Sequence, residues 1–178
     1  VFYEIEMPLI RILAEAEESG ILIDRRFLAG LAREAEKKIS ALTRRIYALA
    51  GEEFNINSPQ QLSRILFDVL KISARGLRKT EKGGVVSTRE TELEKLRSGN
   101  PIIEHILDYR ELTKIKSTYI DALPALADPK TGRIHTTFNQ TGTSTGRLSS
   151  SNPNLQNIPI LSEFGRKIRN AFVASPEF

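Results

Sequence analysis

The side chains best suited to chemistry lie together in one stretch, Asn139 to Pro159, which reads NQTGTSTGRLSSSNPNLQNIP. Four Asn, two Gln, four Ser and three Thr surround a single charge, Arg147. That composition fits a flexible polar linker. Apolar anchors at Leu148, Leu155 and Ile158, and prolines bracketing the Asn-Leu-Gln-Asn core, argue instead for a built surface. Amides and one guanidinium are donors that suit the minor-groove edge of a duplex. There A·T and T·A pairs offer only N3 and O2 acceptors, and G·C adds one donor. Arg147 with Gln156 and Asn157 beside it would test pairing geometry without reading base identity, and Ser149–Ser151 would bond phosphate or sugar.

Other chemistries find little support in the 178 residues. The absence of cysteine excludes a disulfide scaffold and thiolate-bound zinc, haem or iron–sulfur sites. Two histidines, His105 and His135, make an imidazole metal centre improbable, and no metal ligands are expected. His135 reads as a packing or hydrogen-bonding residue and His105 as a helix-surface one. A Ser/His hydrolase built on the serine-rich stretch lacks the Gly-x-Ser-x-Gly spacing. No run approaches eighteen apolar residues, so no membrane span is expected. The opening Val1-Phe2-Tyr3-Glu4 carries no basic segment leading into an apolar one. The chain therefore reads as cytoplasmic, with its natural start before Val1.

The net charge of +4 is unevenly spread. Residues 64–89 hold seven basic and two acidic side chains and residues 129–178 hold six and two, whereas 1–63 and 90–128 are net acidic. Two basic zones point to a polyanionic partner, although solvated faces are also often locally charged.

These residues need elements to carry them. Ile5, Leu9, Ile12, Leu13 and Ala16 predict a helix over 1–18, stopped by Ser19-Gly20. Asp24 is a plausible N-cap for a long helix to Ala50. Its stripe of Leu28, Leu31, Ala35, Ile39, Leu42, Ile46 and Leu49 reads as core between paired helices, not as a dimer zipper. Ser58-Pro59-Gln60-Gln61 is a capping-box start for a helix to about Leu70, and Ser87 with Glu90 looks like a second box for a helix to about Arg97. Asn100-Pro101 opens another long helix to about residue 121. The two long helices predict an antiparallel hairpin. Beyond Pro124 come a turn at Asp128–Gly132, a strand over Arg133–Phe138 with Ile134, Thr136 and Phe138 on one face, and a second strand over 168–174. The expected fold class is mainly α (α+β): a helical hairpin followed by a small, incomplete β portion.

Thr145-Gly146-Arg147-Leu148-Ser149-Ser150, followed by Pro153-Asn154-Leu155-Gln156-Asn157-Ile158-Pro159, closely resembles family A DNA polymerases, the bacterial DNA polymerase I group. Phe54–Ser58, Lys79-Thr80, Lys114–Tyr119 and Gly132–Thr136 resemble that family in the same order along the chain. The resemblance implies a thumb over 1–122 and the N-terminal part of the palm over 123–178, ending before the first catalytic aspartate. It implies primer–template gripping for template-directed nucleotidyl transfer. Asn55, Asn57, Ser58, Lys82, Ser87, Arg110, Lys114 and Ser117 would contact the DNA backbone. Arg147, Asn154, Gln156 and Asn157 would contact the primer–template near its growing end. Lys79 and Lys82, in a glycine-containing loop, read as phosphate contacts. Arg110 and Lys114 share a helix face, while Lys116 points elsewhere.

The resemblance implies magnesium for the complete polymerase, with none bound by this chain and no catalytic residue in it. One departure stands out: the family often has a basic residue just after Asn-Ile-Pro, where this sequence has Ile160-Leu161. Either the contact is absent or Arg166 or Arg169 takes it over. The chain would act as the DNA-gripping part of a polymerase, as a stand-alone duplex-binding module, or as half of a split enzyme whose second polypeptide carries the rest of the palm and the fingers.

Overall fold

A computed structural model describes residues 1–80 and 84–174. In chain order the regular elements are α1 (Met7–Ser19), β1 (Ile21–Leu22), α2 (Arg25–Ala50), α3 (Pro59–Ser63), α4 (Glu90–Leu93), α5 (Pro101–Ile115), α6 (Ala122–Leu126), β2 (Arg133–Ile134), β3 (Thr137–Asn139), β4 (Ser149–Ser151) and α7 (Glu163–Arg169). Wider, π-helical turns precede α1 (Phe2–Glu6), continue α3 (Arg64–Val69) and continue α5 (Lys116–Ile120). The fold is mainly α with two small antiparallel sheets, as expected. Packing divides the chain into one unit of Val1–Glu34 with Ile115–Phe178 and a second of Ala35–Lys114. This cut is by compactness and differs from the thumb–palm boundary expected at 122/123.

In the first unit, the Asp24 carboxylate accepts the N–H of Phe27 at 2.8 Å and starts α2 as its cap. β1 pairs with β2 in the register Ile21↔Ile134, and β3 pairs with β4 in the register Phe138↔Ser150. The strand expected over 133–138 thus forms as two pieces, because Arg133–Ile134 and Thr137–Asn139 have different partners. Its expected alternation holds: Ile134 and Thr136 are buried, whereas His135 and Thr137 are exposed and Arg133 is half-buried.

The strand expected over 168–174 is a correction, since Ile168 and Arg169 lie in α7. Ser162 caps that helix by accepting the Gly165 N–H at 3.1 Å, and Phe164 and Ile168, four apart, are buried on one face. Only Phe172 pairs in extended form, with Ile23. A local cap and helical spacing outweighed the short apolar run.

The first helix forms as expected and ends at Gly20; no residue of α1 is buried, and Ile12 and, in the turn before it, Ile5 are 60% and 56% exposed. Polar contacts help attach it. The Glu17 carboxylate accepts the N–H of Phe138, and the Glu17 carbonyl accepts Nδ1–H of His135 at 2.8 Å. Gln140 Nε2 donates to the Glu6 carbonyl at 3.0 Å. Gly20 closes the helix at φ +63°, where a side chain would run into the His135 ring.

The second unit has a conventional apolar core. Ile46 and Ala50 from the end of α2 pack with Phe54, Ile56, Leu62, Ile65, Leu66 and Leu93, and with Ile102, Ile103, Ile106 and Leu107 from the start of α5. Ala50 is buried, whereas Leu49, expected in the stripe, is 43% exposed. In a straight helix of 3.6 residues per turn, Leu49 lies about 60° away from Leu28, so the buried line passes to Ala50.

Both capping boxes are modified. Ser58 accepts the Gln61 N–H as expected, but the Gln61 side chain reaches back to the N–H of Asn55. Ser87 caps nothing at α4, whose N-cap is Arg89; its hydroxyl accepts the Arg89 N–H. The expected second box is therefore absent, because the helix starts at Glu90, three residues after Ser87, with Arg89 in the N-cap position.

Candidate nucleic-acid interface

Within the first unit, Asn139–Pro159 is an ordered hairpin followed by a tight turn. The sheet end at Asn139↔Ser149 is closed by side chains: Asn139 Oδ1 accepts the Thr141 N–H at 2.8 Å, and the Thr143 hydroxyl donates to the Arg147 carbonyl at 2.7 Å. Gly146 turns the chain at φ +73° with open space around it. Arg147 follows, exposed, with its backbone held and its guanidinium bonded to no other described residue.

The second half of the segment is fixed by buried hydroxyls. Thr136 donates to the Pro153 carbonyl at 2.7 Å, and Ser150 accepts the Leu155 N–H at 3.1 Å; both residues are about 5% exposed or less. Asn154 Oδ1 accepts the N–H groups of Gln156 at 3.0 Å and Asn157 at 3.2 Å. Asn154, expected as a duplex contact, thus builds the turn with its carbonyl oxygen. Tyr119, from the turn after α5, donates its hydroxyl to the Asn157 carbonyl at 2.7 Å, and burial raises its pKa above the usual phenol value. Gln156 and Asn157 are exposed, and neither side chain bonds to another described residue, while Ile158 is buried behind them. Ser117, on the same wide turn as Tyr119, is exposed.

The second unit carries the other expected residues. Phe54 and Ile56 are buried and Asn55 and Asn57 exposed, so the motif alternates. Asn55 Oδ1 accepts the Asn57 N–H at 3.0 Å, and Asn57 Nδ2 donates to the Tyr109 hydroxyl at 3.3 Å. Lys79 is exposed opposite Val86 in a short antiparallel bridge. Lys82 lies outside the described residues. Ser87 is 5% exposed, and its hydroxyl accepts the Arg89 N–H at 3.4 Å.

Arg110 is partly buried and donates Nη1 to the Thr88 carbonyl, which makes it a strut for that loop. Burial pushes its pKa down, opposed by the nearby Glu90 carboxylate. Lys114 shares the exposed side of α5, whereas Lys116 pairs with Asp121 at 2.8 Å.

Two organising residues were not singled out by sequence reasoning. Glu92, only 4% exposed, accepts the Arg78 N–H at 3.0 Å and the Lys95 ammonium at 2.8 Å, and anchors the basic loop. The Lys95 hydrogen bond, then the Arg78 one, hold its carboxyl below the ordinary range. Tyr119 lies in the Lys114–Tyr119 motif, but its partner is 38 residues away. Of the two arginines offered as replacements after Asn-Ile-Pro, Arg166 donates to the Leu161 carbonyl at 2.6 Å and Arg169 is exposed, while Leu161 itself is 88% exposed. Among the described residues, no group of three His, Cys, Asp or Glu side chains is placed to hold a metal ion. No described helix is long and apolar enough to cross a membrane.

Comparison with known proteins gives a consistent result. Residues 25–178 match the model of DNA polymerase family A. A thermostable DNA polymerase I of Thermus thermophilus is 54% identical over 174 residues, covering 98% of this chain and 21% of the relative. DNA polymerase I of Chloroflexus aurantiacus is also 54% identical, covering 99% of this chain and 19% of the relative. The chain thus spans about a fifth of the length of these relatives. Among solved structures, the POL domain of Pol1 from M. smegmatis, in complex with DNA primer-template and dNTP, superposes with a TM-score of 0.80 at 41% identity. That match covers 97% of this chain and 30% of the other. With the motifs from Phe54 to Pro159 set on the same fold, the chain belongs to DNA polymerase family A.

Proposed function

We propose that this chain is the primer–template-gripping part of a DNA-directed DNA polymerase, with residues 1–122 as its thumb and 123–178 as the beginning of its palm. The observation that carries this reading is the turn that leaves Arg147, Gln156 and Asn157 exposed while their backbone is fixed by Thr143, Asn154 and Tyr119. Neutral amides and one guanidinium, held still, match acceptors that recur at every correctly paired step of the minor groove. Lys79, Lys82, Lys114 and Ser117, with the asparagines of the Phe54–Ser58 motif, supply contacts to phosphate and sugar, which give affinity without sequence preference. In this reading Asn154 holds the backbone of Gln156 and Asn157, while Ser87 and Arg110 hold the backbone at Thr88 and Arg89.

In this reading the nucleotidyl transfer is carried out by the complete polymerase, of whose relatives this chain spans about a fifth, and this chain alone is expected to bind primer–template without extending it. Fluorescence anisotropy with a labelled primer–template of arbitrary sequence, titrated with salt, tests the proposal. Binding that is indifferent to sequence and weakens linearly in log salt is expected. Sequence-selective binding, or none at low salt, overturns it.

A further inference from the structure

We propose that Tyr119 is a positioning residue for the duplex-facing amides: by holding the Asn157 carbonyl it fixes the aim of the Gln156 and Asn157 side chains. This inference rests on the minor-groove reading above.

The peptide groups from Leu155 to Asn157 have no ladder or helix to hold them. The Leu155 N–H goes to Ser150 Oγ, and the Gln156 and Asn157 N–H groups go to Asn154 Oδ1. These three bonds all come from residues within five positions along the chain. Among the described residues, the Asn157 carbonyl bond is the one hydrogen bond to the peptide groups of 155–157 that comes from a distant element. Thr136 and buried Ile158 hold the two ends of the turn, and the bond from Tyr119 holds its middle. The ring of Tyr119 is buried, so its hydroxyl has little choice of direction. A phenol is protonated and a donor at neutral pH, and burial moves its pKa further up. Tyr119 sits in the wide turn Lys116–Ile120, which is closed by the Asp121 N–H to Lys116 carbonyl bond at 2.9 Å. Fixing donors before the ligand arrives reduces the ordering cost of binding.

A double-mutant comparison tests this on the intact chain by anisotropy with primer–template. Tyr119→Phe keeps the ring and removes only the hydroxyl. It is expected to weaken binding about three- to tenfold, the worth of one neutral hydrogen bond, with the salt slope unchanged because no phosphate contact is lost. Gln156→Ala with Asn157→Ala is expected to weaken binding more. Adding Tyr119→Phe to that pair is expected to have no further effect, since the groups it positions are gone. An additive loss in the triple variant, or full affinity in Tyr119→Phe, overturns the positioning role and leaves the minor-groove reading standing. Full affinity of the Gln156/Asn157 variant overturns both.

Hydrogen exchange on the unbound chain gives an answer without DNA. Amides 155–157 are expected to exchange faster in Tyr119→Phe while those of α2 stay as in the parent. Unchanged exchange at 155–157 overturns the proposal.

Discussion

The segment from Thr136 to Ile158 and the loop from Lys71 to Arg89 are both polar surfaces, built by opposite means. The first holds one charged residue and is shaped by hydroxyls and amides that bond its own backbone. The second carries Lys71, Arg75, Arg78, Lys79 and Arg89, and is anchored on a buried carboxylate and a large apolar core. Hydrogen bonds to base edges depend on angle and on tenths of an ångström, so their donors need a stiff frame. Attraction to phosphate falls off over the Debye length, so a cation needs only to be near. On the proposed reading, the contrast separates a surface suited to geometry from one suited to charge.

Ile65→Ala is expected to act most strongly. Ile65 is fully buried in the second unit's core, and its truncation is expected to cost about 2–5 kcal/mol. Denaturation measures the loss. Hydrogen exchange then asks whether protection at 150–158 survives; joint loss of protection would break the comparison by making the two regions one cooperative unit.

Next comes Arg147→Ala, expected to weaken primer–template binding by about 1–3 kcal/mol. The deficit should persist at high salt, and equal affinity of variant and parent across a salt series would remove Arg147 from the interface. Lys79→Ala should do less. It is expected to lower affinity alike for all duplex sequences and to reduce the salt slope by about one unit, and a sequence-selective loss would contradict its phosphate role.

The smallest effect is expected from Glu92→Gln, and it depends on pH. The Glu92 carboxyl is held below its ordinary value of about 4.3. The stability it brings is complete above that value and disappears as pH falls through its own lower pKa. The parent should therefore be more stable than the variant at neutral pH, with the gap closing in acid. Melting curves across the acid range check this; a gap that is constant with pH would remove Glu92 as the anchor of the basic loop.

Much of the architecture was legible because its causes are local. The stripe from Leu28 to Ile46, the Asp24 and Ser58 caps and the alternation at Ile134 and Thr136 each depend on residues a few positions apart. The same locality misled at 168–174, where a short apolar run looked extended and the Ser162 cap went unweighed. At α1 periodicity located the helix but not its attachments, which include polar contacts to Phe138, His135 and Gln140. In the candidate site, Arg147, Gln156 and Asn157 stand exposed, which is compatible with the donor role proposed for them. Which polar groups the fold itself takes up was not legible. Asn154 offers the same amide as Asn157, and only the fold decides that its oxygen faces two backbone N–H groups. Nor does the sequence pair Tyr119 with Asn157, because a contact across 38 residues leaves no periodic trace.

The single charge between Asn139 and Pro159 has a kinetic consequence. Long-range steering raises the rate at which a charged ligand is captured, and a segment with one cation contributes little to it. On the proposed reading, capture falls to the lysine- and arginine-rich loop, and the amide turn acts only after the duplex has arrived, by lengthening its stay. Association rate and residence time would then be set by different parts of one chain, and each would be adjustable without disturbing the other.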